Sequence, residues 1–147
     1  MSLREQLSDE MKTAMKARDE LRLSTIRMIR SAVKNKDIDL KRELNDQEIV
    51  DVLATLVKQR RESIRLFGEA GRSDLVEKEE KELAVLMHFL PRQLSREEVV
   101  TLVEGVIAEC GALSSRDMGR VMKALTPHVA GRADGKMVSD LVKEKLV

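Results

Sequence analysis

The chain has 147 residues, a formal net charge of +1 and one cysteine. That length allows one domain or two small ones, the near-neutral charge removes any nucleic-acid signal from the chain as a whole, and the lone Cys110 excludes an internal disulfide. An apolar fraction of 42% excludes disorder, and with Phe67 and Phe89 the only aromatic side chains, and strand formers rarely clustered or alternating, the composition predicts an all-α fold with a core of Leu, Val, Ile and Met.

Ser2-Leu3-Arg4-Glu5 reads as a capping box, followed by Leu3, Leu7, Met11 and Met15 at four-residue spacing, which predicts a helix to about Ala17. Asp19 is expected to cap a second helix with Leu21, Thr25, Ile26, Ile29, Ala32 and Val33 inward, fading near Asp37. Asn45-Asp46-Gln47-Glu48 is another capping box. The third helix places Ile49, Val52, Leu53, Leu56, Ile64 and Phe67 on one face and runs to about Ala70, with Gly71 as its stop. A fourth starts at Ser73 or Asp74, with Leu75, Leu83, Leu86 and Leu90 inward.

Leu90-Pro91 is the main punctuation, because Pro91 lacks an N–H and biases Leu90 away from α geometry. It divides the chain into an N-terminal helical domain, 1–90, and a C-terminal three-helix domain, 95–147. Ser95-Arg96-Glu97-Glu98 opens the first C-terminal helix, with Val99, Leu102, Val103, Val106 and Ile107 inward and Gly111 at its end. Ser114 or Ser115 caps the next, which carries Met118, Val121, Met122 and Leu125 and is expected to break at Pro127, with one extra turn starting there as the alternative. Asp134 caps the last, with Met137, Val138, Leu141 and Val142 inward.

Several short segments then carry a family resemblance: Lys58-Gln59-Arg60-Arg61-Glu62-Ser63-Ile64, Ala70-Gly71-Arg72, Ala84-Val85-Leu86 leading into Leu90-Pro91, Asp117-Met118-Gly119-Arg120-Val121-Met122, and Gly131-Arg132-Ala133-Asp134-Gly135-Lys136. Taken in order, they resemble the GatB/YqeY family over essentially the full length, and its free-standing YqeY-like members most. Met87-His88 departs from the acidic character of such relatives. The resemblance implies an all-helical fold, long at the N-terminus and small at the C-terminus. It also implies kinship with the tRNA-holding tail of the B subunit of amidotransferases that convert Glu-tRNA(Gln) or Asp-tRNA(Asn) to the amide. The family label, carbon–nitrogen ligase with glutamine as amido donor, describes the assembled enzyme.

The residues themselves offer no constellation for chemistry. His88 and His128 lack companions at metal-ligand spacing. Glu77, Glu79, Glu80 and Glu82 point in different directions around a helix and read as a solvated face. Cys110 lies on an apolar side as a structural thiol. The Gly131–Lys136 segment is one residue short of a phosphate loop, with Met137 where Ser or Thr would bind magnesium. The expectation is therefore no catalytic residue, no cofactor and no metal.

Positive charge is local. Residues 12–42 hold ten Lys/Arg against four Asp/Glu, a net of +6, and residues 96–147 hold eight of each. Lys58, Arg61 and Arg65 fall at i, i+3, i+7 on the third helix, as do Arg27, Arg30 and Lys34 on the second. Such stripes can track phosphates or simply be solvated faces. Arg60 falls near the apolar stripe and is expected to make a structural pair across a helix interface rather than an RNA contact. In the C-terminal domain Arg116, Arg120 and Lys123 form a stripe beside Gly119, a mid-helix glycine expected to admit close approach of another helix or of a sugar–phosphate backbone. Arg132 and Lys136 bracket the start of the last helix, whose free N–H groups suit a phosphate. The resemblance to a tRNA-holding tail ranks the C-terminal cations first. So few aromatics exclude base stacking as the main mode, so RNA contact would read phosphates and shape.

Together these readings predict a non-catalytic tRNA-related binding protein, with tRNA and translation-related proteins as partners. A helical protein-interaction adaptor and an accessory component of an amidotransferase complex are the alternatives. The absence of an apolar h-region or a span of about 20 apolar residues, with one thiol, predicts no membrane partner and a cytoplasmic location.

Overall fold

Seven α-helices and one 3-10 turn, with no strand, make up the computed structural model, which describes residues 1–147. The helices are α1 (Leu3–Ala17), α2 (Glu20–Leu40), α3 (Asp46–Glu69), α4 (Ser73–Phe89), α5 (Arg96–Cys110), α6 (Met118–Val129) and α7 (Gly135–Lys145). They group into two units, Met1–Leu90 and Pro91–Val147.

Most helices begin where a side chain can satisfy a free N–H. Ser2, Asn45 and Ser95 form complete capping boxes with Glu5, Glu48 and Glu98. The Asp19 and Asp134 carboxylates accept from the N–H groups of Arg22 and Lys136. Helix ends use left-handed residues: Gly71 at φ 71° and Gly111 at φ 63°, but also Arg18 at φ 56° and Lys41 at φ 57°. The last two are positions where glycine would be the easier choice.

Three boundaries differ from the sequence expectation. α2 continues past Asp37 to Leu40, because the Asp37 carboxylate does not stop its own helix. It accepts instead from both Arg4 guanidinium nitrogens, at 3.0 and 2.9 Å, and from the Leu44 N–H at 2.8 Å. Pro127 does not break α6, which runs on to Val129. The N–H that Pro127 lacks would have bonded at the exposed Lys123, and the ladder resumes with Ala130 N–H to the Thr126 carbonyl at 2.9 Å. Residues 115–117 form a 3-10 turn capped by Ser114, so Arg116 lies ahead of α6 rather than on it.

Within the N-terminal unit the fully enclosed side chains are Leu7, Ile26, Ile29, Ile49, Leu53 and Leu86. Val50, Val57, Val85 and Phe89 join that core, whereas Ile64 and Phe67 remain half-buried and Leu75 and Leu83 are only partly covered. The C-terminal unit closes its own core around Val99, Val103, Val121, Leu125, Val138 and Val142. Each such side chain contributes roughly 1.5–3 kcal/mol on burial. The segment leading into α5 is pinned to the α6–α7 turn: Leu94 N–H donates to the Arg132 carbonyl at 2.7 Å and Gln93 Nε2 to the Gly131 carbonyl at 2.8 Å.

Arg60 sits where the apolar stripe predicted a pairing partner. Its Nε lies 2.8 Å from Glu82 Oε2 and 3.2 Å from Glu79 Oε2, joining α3 to α4, and its Nη2 lies 2.8 Å from the Met28 sulfur of α2. The Arg60 Nε and Glu79 Oε2 atoms make no aligned hydrogen bond, so this clamp acts through charge proximity.

Two outcomes follow for stability. Arg60→Ala leaves two largely covered carboxylates facing each other, so urea denaturation is expected to show a loss of about 2–3 kcal/mol, with Arg60→Met/Glu79→Gln/Glu82→Gln recovering most of it. The hydrogen bonds from Arg42 and Arg92 lower the Glu48 and Glu98 carboxyls to about 2 each. Groups depressed on folding stabilise above the ordinary carboxylate range and lose that contribution as pH falls through their folded values. Thermal melts from pH 5 down to 2 are expected to show progressive destabilisation that is shallower in Glu48→Gln/Glu98→Gln.

Candidate functional site

The eight cations singled out by spacing fall into three local settings. On α3, Lys58 is exposed with no carboxylate partner, Arg61 is exposed but engaged in a contact of its own, and Arg65 is held between two carboxylates. Arg65 Nη1 lies 2.7 Å from Glu69 Oε1 and its Nε donates to Glu62 at 3.2 Å, which raises the guanidinium further above its ordinary value, the Glu62 hydrogen bond being the largest cause. The helix neighbours of Arg65 thus already neutralise one end of that stripe.

In the C-terminal unit, Arg116 on the 3-10 turn and Lys123 on α6 are exposed and meet no carboxylate. Arg120 Nη2 donates to Asp117 Oδ1 at 3.1 Å. Asp117 is held below the ordinary carboxylate range, first by the Leu113 N–H, which it accepts at 2.9 Å. The turn therefore fixes Asp117, and Asp117 in turn orients Arg120 beside Gly119.

Of the two readings of Gly119, close packing of another helix is the one the structure overturns. No neighbouring atom lies within 4 Å of the place a Cβ would occupy, so no helix packs there. Gly119 is instead exposed, and small, open surface lies among Arg116, Arg120 and Lys123. The glycine was legible in the sequence, but its surroundings depend on how α5 and α7 pack, which spacing along one helix does not encode.

Arg132 and Lys136 do not join that face as a pair. Arg132 is half-buried and its Nε donates to the Arg92 carbonyl at 3.3 Å, which ties down the approach to α5. Lys136 is exposed and lines a hollow of about 300 Å³ that also includes Asp134, Asp140 and Glu144. Those carboxylates, with the Asp134 cap, make the start of α7 a poor seat for a phosphate.

No group of three His, Cys, Asp or Glu side chains is arranged to hold a metal ion. Cys110 is partly covered at the end of α5 and packs against the C-terminal core. His88 Nε2 lies 2.8 Å from Glu10 Oε1, which also receives Arg22 Nη2 at 2.7 Å. A carboxylate in place of His88 would face Glu10, so the departure at this position suits the contact it makes. No helix is long and apolar enough to cross a membrane.

Comparison with known proteins gives a full-length match. The model of the family described as "Yqey-like protein" matches residues 4–146. A Kluyveromyces lactis protein named "Altered inheritance of mitochondria protein 41, mitochondrial" is 42% identical over 107 residues, which are 70% of this chain and 57% of that protein. Proteins of the same name from Lachancea thermotolerans and Saccharomyces cerevisiae are 41% and 38% identical over 85 residues, 57% of this chain and 46% of each relative. The chain thus spans about half the length of the curated relatives it matches, and their name denotes no reaction. That the relatives are named as mitochondrial overturns the cytoplasmic expectation. A single thiol suits more than one reducing compartment, so it did not distinguish among them. With its family model matched from residue 4 to residue 146, the chain belongs to the YqeY-like protein family.

Proposed function

We propose that this protein is a non-catalytic binding protein that holds folded RNA of the tRNA class on the face formed by α6 and the turn before it. The observation that carries the reading is the open surface at Gly119, flanked by Arg116, Arg120 and Lys123. A sugar–phosphate backbone needs both close approach and cations, and the two coincide here. Asp117 supports the arrangement by orienting Arg120 while its own charge is shared with the Leu113 N–H. The scarcity of aromatics supports phosphate and shape reading over base stacking. In this reading the chain does what the tail of an amidotransferase B subunit does for tRNA, and takes no part in amide formation by itself.

Titration of labelled deacylated tRNA at about 50 and 200 mM salt tests the reading. Tight binding at the lower salt that weakens by at least tenfold at the higher is expected. Arg116→Ala/Arg120→Ala/Lys123→Ala, all at exposed positions, is expected to fold normally and to flatten the salt slope by about two to three. Gly119→Ala separates packing from contact: in the first turn of α6 it changes stability by less than about 0.5 kcal/mol while RNA affinity falls. Absence of binding at low salt, or unchanged affinity in the folded triple variant, overturns the proposal.

A further inference from the structure

A second surface lies in the N-terminal unit and has different chemistry. α1 and α2 run antiparallel, joined by Arg18 and Asp19 and locked at one end by the Arg4–Asp37 pair and nearer the other by Arg22–Glu10. Along the two helices runs an open groove of about 980 Å³ that extends from the Arg4–Asp37 pair to Met15. Leu7, Met11, Met15 and Val33 line it with apolar atoms, and Arg27, Arg30 and Lys34 of α2 supply its charge.

The groove carries positive charge that its own carboxylates do not balance. Its two carboxylates are already committed within the fold: Glu5 to the Ser2 N–H in the capping box, and Asp37 to Arg4 and the Leu44 N–H. By contrast, no carboxylate partners Arg27, Arg30 or Lys34. Arg30 instead lays its Nη1 2.9 Å from the Met11 sulfur, across the groove lining. Met15 is 48% exposed at its edge, an apolar side chain left to solvent beside uncompensated cations.

We propose that this groove docks an acidic amphipathic helix of a partner protein. The lining residues run from Arg4 to Met15 on α1, about 16 Å of helix, which matches three turns of a docked helix. Leucine-like side chains at i, i+3 or i+4, and i+7 would lie on the methionines, whose flexible thioethers adapt to varied apolar shapes. Acidic residues flanking that stripe would reach Arg27, Arg30 and Lys34. The apolar lining decides against RNA here, because a phosphate chain gains nothing from covering Met11 and Met15. This site shares no residue with the α6 face, so either can fail without the other.

The test uses the full chain and a synthetic 15-residue helical peptide with leucines at i, i+3 and i+7 and glutamates beside them, plus a lysine version and a scrambled version. The glutamate peptide is expected to bind saturably, and amide shifts in NMR spectra are expected to cluster in α1 and α2. Arg27→Glu/Lys34→Glu, at two exposed positions, should weaken the glutamate peptide at least tenfold and improve the lysine peptide. Met15→Asp should weaken both, and the α6 triple variant should bind the glutamate peptide normally. Equal affinity for the scrambled peptide, shifts centred on α5–α7, or no saturable binding would overturn the proposal. So would tRNA rather than peptide losing affinity in Arg27→Glu/Lys34→Glu, which would assign the groove to RNA.

Discussion

A core made almost wholly of aliphatic side chains constrains everything else in this protein. Phe89 is the one aromatic ring fully enclosed, and elsewhere Leu, Ile and Val fill the space between helices. Aliphatic contacts are strong in sum but poor at fixing the rotation and sliding of one helix on another. Orientation is supplied at the periphery by polar groups that each reach several partners. Asp37 gathers α1, α2 and the approach to α3, Arg60 joins α3 to α4, and Glu10 receives Gln6, Arg22 and His88. In the C-terminal unit the same office falls to bonds onto backbone carbonyls, with the Leu94 N–H and the Gln93 side-chain amide pinning the approach to α5 on Arg132 and Gly131.

That division of labour explains which parts of the fold were legible in the sequence. Caps announce themselves locally, so Ser2, Asp19, Asn45, Ser95 and Asp134 were found where they act. The end of α2 was placed near Asp37 because its apolar stripe fades after Val33, whereas the Asp37 carboxylate serves residues 33 positions earlier and 7 later and the helix runs on. Pro127 was read as a break because proline costs a helix bond, yet it stands only two residues before the end of α6, where one lost bond does not stop the helix.

The candidate sites were legible in residue type and not in availability. The Arg65 pairing with Glu62 and Glu69, and that of Arg120 with Asp117, sit at helical spacings visible in the chain. The bond from Arg132 to the Arg92 carbonyl spans 40 residues and belongs to tertiary structure alone. The groove belongs to that second kind as well. Arg27, Arg30 and Lys34 form a recognisable stripe, but its apolar half comes from another helix, and only the hairpin of α1 on α2 brings the two together.

The left-handed corners at Arg18 and Lys41 bear on how the basic segment around them is understood. Each closes a helix at its negative end, where a cation is favoured by the dipole. A glycine would relax the backbone at either corner, yet it would loosen the unfolded chain and remove that charge, so the opposing effects are of similar size. Part of the positive charge in residues 12–42 is therefore spent on terminating helices. The segment's capacity to attract a partner is smaller than its charge count, and is concentrated on the three cations that face the groove.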